Sequence, residues 1–222
     1  MDKVLVVSAH PDDETIGCGG TIFKHKKNGD EIHWLIITNV DIQHGWEEEF
    51  VSERQKEISK VSKLFRFKTC TKLNFPTTRL NEIPERIIIQ KISETFKKIK
   101  PAVLYLPNKS DIHSDHQIAF KLAFSASKNF RTPYVKKILM YECLSETEFA
   151  IPASEAVFIP NYYSDISQFY NSKIKAMKIY ASEVMDEPLP RSISTIEALA
   201  RYRGSRIGCK YAEAFMQLLQ IN

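Results

Sequence analysis

Apolar residues along this chain follow two rhythms. Short β-forming stretches cover Val4 to Ser8, Ile32 to Thr38, Phe67 to Leu73 and Ala102 to Leu106. They are too short for core helices and predict strands. Between them, apolar positions recur every three or four residues, the helical period. Val51, Ile58, Val61, Leu64 and Phe65 mark one helix, and Ile83, Ile87, Ile88, Ile92, Phe96 and Ile99 another, ended by Pro101. A Gly-rich helix follows Pro11 and runs to about Asn28, stopped by Gly29-Asp30; a further helix covers about Asp115 to Lys128. Lys136 to Glu142 and Ala156 to Ile159 read as two more strands. Ile166, Tyr170, Ile174, Met177 and Ala181 then mark a helix, and Ser192 to Arg203 the last one. This alternation predicts an α/β fold: a Rossmann-like, doubly wound, mainly parallel sheet with helices on both faces. The 222 residues suffice for one buried domain spanning 1–222, with a small C-terminal elaboration. The proline-spaced stretch from Pro152 to Pro160 is the nearest thing to a boundary.

The chemistry-bearing residues cluster where strands end. His10-Pro11-Asp12-Asp13-Glu14 follows the first strand. Pro11 favours an extended His10 and tolerates an immediate helix start, so one imidazole and two carboxylates fan out at the strand's carboxyl end. His and Asp suit zinc, and a second Asp beside them suits a base. The plain alternative is that the acids merely complement a helix dipole. Asp111-Ile112-His113-Ser114-Asp115-His116 decides between them, because it ends the fourth strand in the same way. With strand order 3-2-1-4 the two clusters face each other at the reversal of winding, where open α/β sheets bind ligands. The loop from Asn39 to Glu47, carrying His44 and Trp46, lies on the same sheet edge. His25 and His33 fall inside a helix and a strand and read as structural.

Composition narrows the class. A net charge of +4, with basic residues scattered along helix faces, gives no reason to invoke nucleic acid. No apolar run approaches a membrane span, and the chain enters a strand directly after Lys3, so we expect a cytoplasmic protein without a stable membrane anchor. The four cysteines are widely spaced and predict reduced thiols. Gly17, Gly19 and Gly20 sit inside the first helix. Close helix-to-sheet packing explains them better than NAD binding, since His-Pro-Asp-Asp occupies the turn that a dinucleotide fingerprint needs.

Ala9 to Glu14 and His113 to His116 together resemble the PIG-L/LmbE family of zinc-dependent N-acetylglucosaminyl deacetylases. Arg54-Gln55-Lys56-Glu57, Arg203-Gly204 and Tyr211 to Phe215 reinforce the resemblance across nearly the whole chain. It implies metal ligation by His10, Asp13 and His116, with Zn2+ as cofactor; the same donors also suit Fe2+. It implies Asp12 as general base and His113 as the cation that steadies the oxyanion or protonates the departing amine. Asp115 is expected to favour the imidazolium form of His113. Asp111 is a second candidate for that role, with N-cap duty as the alternative. Arg54, His44, Asp111, Glu142 and Arg191 are the candidate substrate contacts. Leu189 stands where many relatives have His, and Thr38-Asn39-Val40 where they often have Thr-Asp-Gly, so substrate is less well specified than chemistry. The partner implied is a small N-acetylated amino-sugar conjugate; a homo-oligomer is also compatible. Two other readings remain open: a metal-dependent amidase acting on another amide, such as a thiol conjugate, and a sugar-binding relative without turnover.

Overall fold

The computed structural model describes residues 1–222 and realises the alternation. The strands are β1 (Lys3–Ser8), β2 (Glu31–Asn39), β3 (Thr69–Pro76), β4 (Val103–Pro107), β5 (Lys137–Tyr141), β6 (Tyr162–Asp165) and β7 (Ala212–Gln220). They form one sheet in the order β3-β2-β1-β4-β5-β7-β6. β1 to β5 are mutually parallel, while β7 runs antiparallel to both neighbours. The winding reverses between β1 and β4, which pair directly from Val4 with Val103 onward. That adjacency brings the two motifs together.

The helices are α1 (Asp13–Lys27), α2 (Glu48–Phe65), α3 (Glu85–Ile99), α4 (Ser114–Ala126), α5 (Tyr170–Met177) and α6 (Ile193–Ser205). The period-two alternation of a strand sorts β1 between two cores. Val4 and Val6 pack with Ile16 and Ile22 of α1, Ile58 and Val61 of α2, Ile174 of α5 and Ile196 of α6. Leu5 and Val7 pack with Ile88, Ile92 and Phe96 of α3 and Leu122 of α4. A strand covered on both faces must be apolar at every position, which is why Val4 to Val7 reads as an unbroken run. None of the helices is long and apolar enough to cross a membrane.

Three expectations need correction. Ala156 to Ile159 is not a strand: it lies in the connection before β6, with Val157 and Ile159 exposed. Pro152 and Pro160 flank it, each lacking an N–H for a ladder, and pairing begins only at Tyr162. The C-terminal elaboration is itself a strand, β7, inserted between β5 and β6. Its sequence, Ala212-Glu213-Ala214-Phe215-Met216-Gln217-Leu218-Leu219-Gln220, is rich in helix formers, so pairing on both sides overrides local propensity. The helix marked from Ile166 to Ala181 is shorter, α5 covering only Tyr170–Met177.

The first-helix glycines do serve close packing. A Cβ on Gly17 would lie 2.3 Å from the Tyr141 ring, and one on Gly20 would lie 2.6 Å from Ile166. A buried ion pair is set into the same turn of α1. Lys173 Nζ donates to Ile16 O and to Glu213 Oε1, both at 2.7 Å. Glu213 in turn accepts the N–H groups of Gly20 at 2.8 Å and Thr21 at 2.7 Å. A side chain from the last strand thus grips the backbone of the helix that carries Asp13.

Candidate metal and catalytic site

Asp13 opens α1, and Asp12 is its N-cap residue. The turn is pinned at several points. His10 N–H donates to Asp13 Oδ2 at 2.9 Å, Thr38 bonds Ala9 O through both N–H and hydroxyl, and Arg54 reaches Pro11 O at 3.4 Å. Across the switch point, His113 is the N-cap of α4: its Nδ1 accepts Asp115 N–H at 3.1 Å. His116 follows one turn later.

Three donor atoms converge between these turns. His10, Asp13 and His116 each offer one ligand atom, all within 4.8 Å of one another. His116 Nε2 lies 3.3 Å from Asp13 Oδ1 and 3.3 Å from His10 Nδ1. The outer nitrogen of each ring faces a carboxylate. His116 Nδ1 meets Asp111 Oδ2 at 2.8 Å, and His10 Nε2 meets Asp115 Oδ2 at 3.0 Å. Each carboxylate can take the proton of the outer nitrogen, so that loss of the second proton from His116 would leave both inner nitrogens as lone pairs beside the Asp13 carboxylate. Such a set fits a divalent cation, which would replace that proton, and carboxylates behind the histidines are the usual support of such sites.

A second group, His10, His113 and Asp115, is also close enough to hold an ion. Its carboxylate is already committed. Asp115 Oδ2 accepts Thr78 N–H at 2.6 Å as well as His10, and Oδ1 accepts Leu80 N–H at 3.3 Å. The first group is therefore the better metal site.

Each expected site residue has a definite place. His10, Asp12, Asp13, His113, His116, Arg54 and Arg191 line one cavity of about 200 Å³ at the carboxyl edge of the sheet. Asp111 and Asp115 lie behind it, fully buried. Asp111 is not an N-cap; besides His116 it accepts from Asn108 and from Thr147 Oγ1. The Asp115 carboxylate hydrogen-bonds His10 and not His113, while its charge still raises His113, as expected, against the larger effect of burial. His113 is also not poised as a cation. Burial, with the His10 and His116 imidazoles alongside, pushes it down to about 4. Its neutral ring accepts at Nδ1 and so carries its proton on Nε2. His44 is outside the cavity, bonded to Asp41. Glu142 is outside too, held by a bidentate bond from Arg203 at 2.8 and 2.6 Å.

Asp12 and Asp13 differ in environment although they adjoin. Burial would raise Asp13, but the His116 imidazole and the His10 groups hold it well below the usual carboxylate range. Burial and the neighbouring Asp13 charge push Asp12 well up. Asp12 makes no side-chain cap bond and lines the cavity. The pair thus separates into a carboxylate that stays ionised and a carboxyl with raised proton affinity.

Sequence reasoning missed part of the wall. Phe50 stacks on Trp46 with ring centroids 5.1 Å apart, and the Arg54 guanidinium lies over Phe50 at 5.4 Å. Helical spacing from Trp46 to Phe50 was the one signal available. Glu183 bridges Arg54 and Arg191, while Arg191 also donates to Ser145 Oγ at 2.9 Å. Glu146 and Cys143 complete that side. No spacing in the chain links position 183 to 54, so this bridge is visible only in three dimensions.

Comparisons with known proteins place the chain in a family. The chain is 25% identical over 220 residues to a diacetylchitobiose deacetylase of Thermococcus kodakarensis, covering 96% of this chain and 82% of that protein. The fold superposes on N,N′-diacetylchitobiose deacetylase from Pyrococcus horikoshii with a TM-score of 0.78 at 24% identity, over 98% of this chain and 84% of the other. It also matches a 4-carboxy-2-hydroxymuconate hydratase from Pseudomonas putida, TM-score 0.77 at 17% identity, over 100% and 98% of the two chains. The fold alone therefore does not fix the chemistry. Residues 5–127, more than half of the 222 and including both motifs, match the PIG-L model described as GlcNAc-PI de-N-acetylase. The chain belongs to the PIG-L family.

Proposed function

We propose that this protein is a metal-dependent amidohydrolase that removes the acetyl group from an N-acetylated amino sugar, of the N-acetylglucosamine type, carried on a larger group. One observation carries the reading: three converging ligand-type atoms on His10, Asp13 and His116 stand beside the cavity-facing carboxyl group of Asp12. A divalent cation held there, Zn2+ or Fe2+, would supply Lewis acidity and make water acidic enough to attack an amide near neutral pH.

The chain's own residues do the rest. Asp12 accepts the proton released as water attacks the acetamide carbon. His113 offers its Nε2–H toward the carbonyl oxygen as that oxygen becomes negative, a hydrogen bond that strengthens in the transition state. Asp111 and Asp115 fix the rings of His116 and His10. Trp46 and Phe50 supply a flat apolar face for a pyranose ring, and Arg54 and Arg191 supply donors for its hydroxyls. The curated relative named for deacetylating diacetylchitobiose supports an N-acetylated sugar as the substrate class.

The test is to incubate zinc- or iron-loaded protein with N,N′-diacetylchitobiose and a panel of N-acetylglucosaminyl conjugates. Acetate and new primary amine should appear together in equal amounts. Amine without acetate would indicate an amidase acting on another acyl group. Binding of the sugars with no product would indicate a protein without turnover.

A further inference from the structure

Asp12 holds an awkward backbone. Its φ is +127°, a region that L side chains avoid because the Cβ crowds the chain. Its carbonyl nevertheless starts α1, accepting from Thr15 N and Ile16 N at 2.9 Å each. A residue in that conformation relaxes unless its surroundings fix it.

The fixing contact comes from Glu14. The Asp12 N–H donates to Glu14 Oε2 at 3.0 Å. The other oxygen, Oε1, accepts from Tyr180 Oη at 2.8 Å and from Thr15 Oγ1 at 2.6 Å. Glu14 is fully buried and outside the cavity wall, and Tyr180 is fully buried as well. An acid that served only the helix dipole would gain as much in water, without the cost of burial. The chain of contacts runs from the segment after α5, through one carboxylate, to the backbone that carries Asp12.

We propose that Glu14 is a positioning residue: tied to Tyr180, it accepts the Asp12 N–H, holds Asp12 at positive φ and so aims the Asp12 carboxylate into the cavity. This rests on the reading of Asp12 as proton acceptor. Relaxation of φ swings the Cα–Cβ bond, and the carboxylate with it, away from the water it must reach.

The experiment compares Glu14→Gln, Glu14→Leu, Tyr180→Phe and Asp12→Asn with wild type. Crystal structures, metal content, kcat and KM on N,N′-diacetylchitobiose are the readouts. Gln keeps an acceptor for the Asp12 N–H and should preserve both φ and kcat. Leu fills the space without an acceptor; Asp12 should leave positive φ, and kcat should fall by about 10²-fold, the scale of a misplacement near 1 Å, with KM and metal content unchanged. Tyr180→Phe, which folds more readily, should show a smaller fall of the same kind. Retention of the Asp12 conformation in Glu14→Leu, or in Tyr180→Phe with full kcat should the Leu variant not fold, overturns the proposal. So does equal damage by Gln, which would assign the effect to charge. A fully active Asp12→Asn would refute the proton-acceptor reading instead, while the crystal structures still judge Glu14 separately.

Discussion

His116 Nε2 and His10 Nδ1 face each other at 3.3 Å, and the proton of each ring is drawn to a carboxylate on its far side. Against the effect of burial, Asp13 and Asp111 flank His116 and raise its proton affinity well above the usual imidazole range, so the site draws positive charge, as a proton or as a metal cation. We expect one divalent ion per chain. His116→Ala should abolish stoichiometric binding. Asp111→Ala, which leaves every ligand in place, should weaken metal affinity by about 10- to 100-fold, as loss of such a supporting carboxylate usually does. Elemental analysis and competition with a chelator would measure both. Full occupancy in His116→Ala would place the metal elsewhere.

The adjacent aspartates should fail in different ways. Asp12→Asn should keep metal content near wild type and lower kcat by a factor of about 10² to 10⁴, the usual contribution of a general base. Asp13→Asn should lose metal, with partial recovery of activity in added zinc. The opposite pattern, a metal-free Asp12→Asn beside a loaded Asp13→Asn, would exchange their roles.

Asp115 separates two accounts of the His113 turn. Its carboxylate bonds His10, while only its backbone N–H bonds His113. Asp115→Asn should therefore weaken metal binding through His10 and, by removing a nearby negative charge that favours the imidazolium, push His113 further down. NMR titration of the His113 ring in wild type and variant would check this, an unmoved titration showing that the Asp115 charge does not reach His113.

Trp46 and Phe50 form the aromatic wall of the cavity and lie apart from the donor triad. Trp46→Ala should raise KM several-fold with little change in kcat, since a stacked sugar loses about 1 kcal/mol or more of contact in ground and transition state alike. Trp46→Phe should recover most of it. A selective loss of kcat would mean that Trp46 acts on the reacting atoms.

Lys173 and Glu213 form a buried ion pair at 2.7 Å. Lys173→Met leaves Glu213 as an unpaired buried carboxylate and should cost about 3–5 kcal/mol in urea unfolding. Lys173→Met with Glu213→Gln should recover part of that loss. A single variant as stable as wild type would show that water reaches the pair.

Much of this molecule was legible in its sequence because strong local signals agreed with the fold. The unbroken run Val4 to Val7 meant a strand buried on both faces, and the strand-end positions of His10 and His113 placed them at the switch point. Legibility failed where distant residues decide. Ala212 to Gln220 looks helical and becomes a strand because β5 and β6 flank it. Val157 and Ile159 look like a strand, but prolines flank them and the ladder with β7 begins only at Tyr162. Asp115 acts on the nearer His113 through its charge, but its hydrogen-bond partner is His10, about a hundred positions away, which no local spacing reveals. Glu183 joined Arg54 and Arg191 through folding alone.

The position of β7 has a consequence for how the protein is born. Synthesis delivers β5 and β6 first, and the strand that must lie between them arrives after both. Until then β5 has an open edge, Lys173 has no acid to meet, and Gly20 and Thr21 lack the carboxylate that holds the helix behind Asp13. Long-range pairings of this kind form late and leave sticky edges exposed meanwhile. The nascent chain therefore carries both strand-end motifs long before it can lock them together, and a chain stalled ahead of Ala212 would remain an aggregation-prone intermediate with its site unassembled.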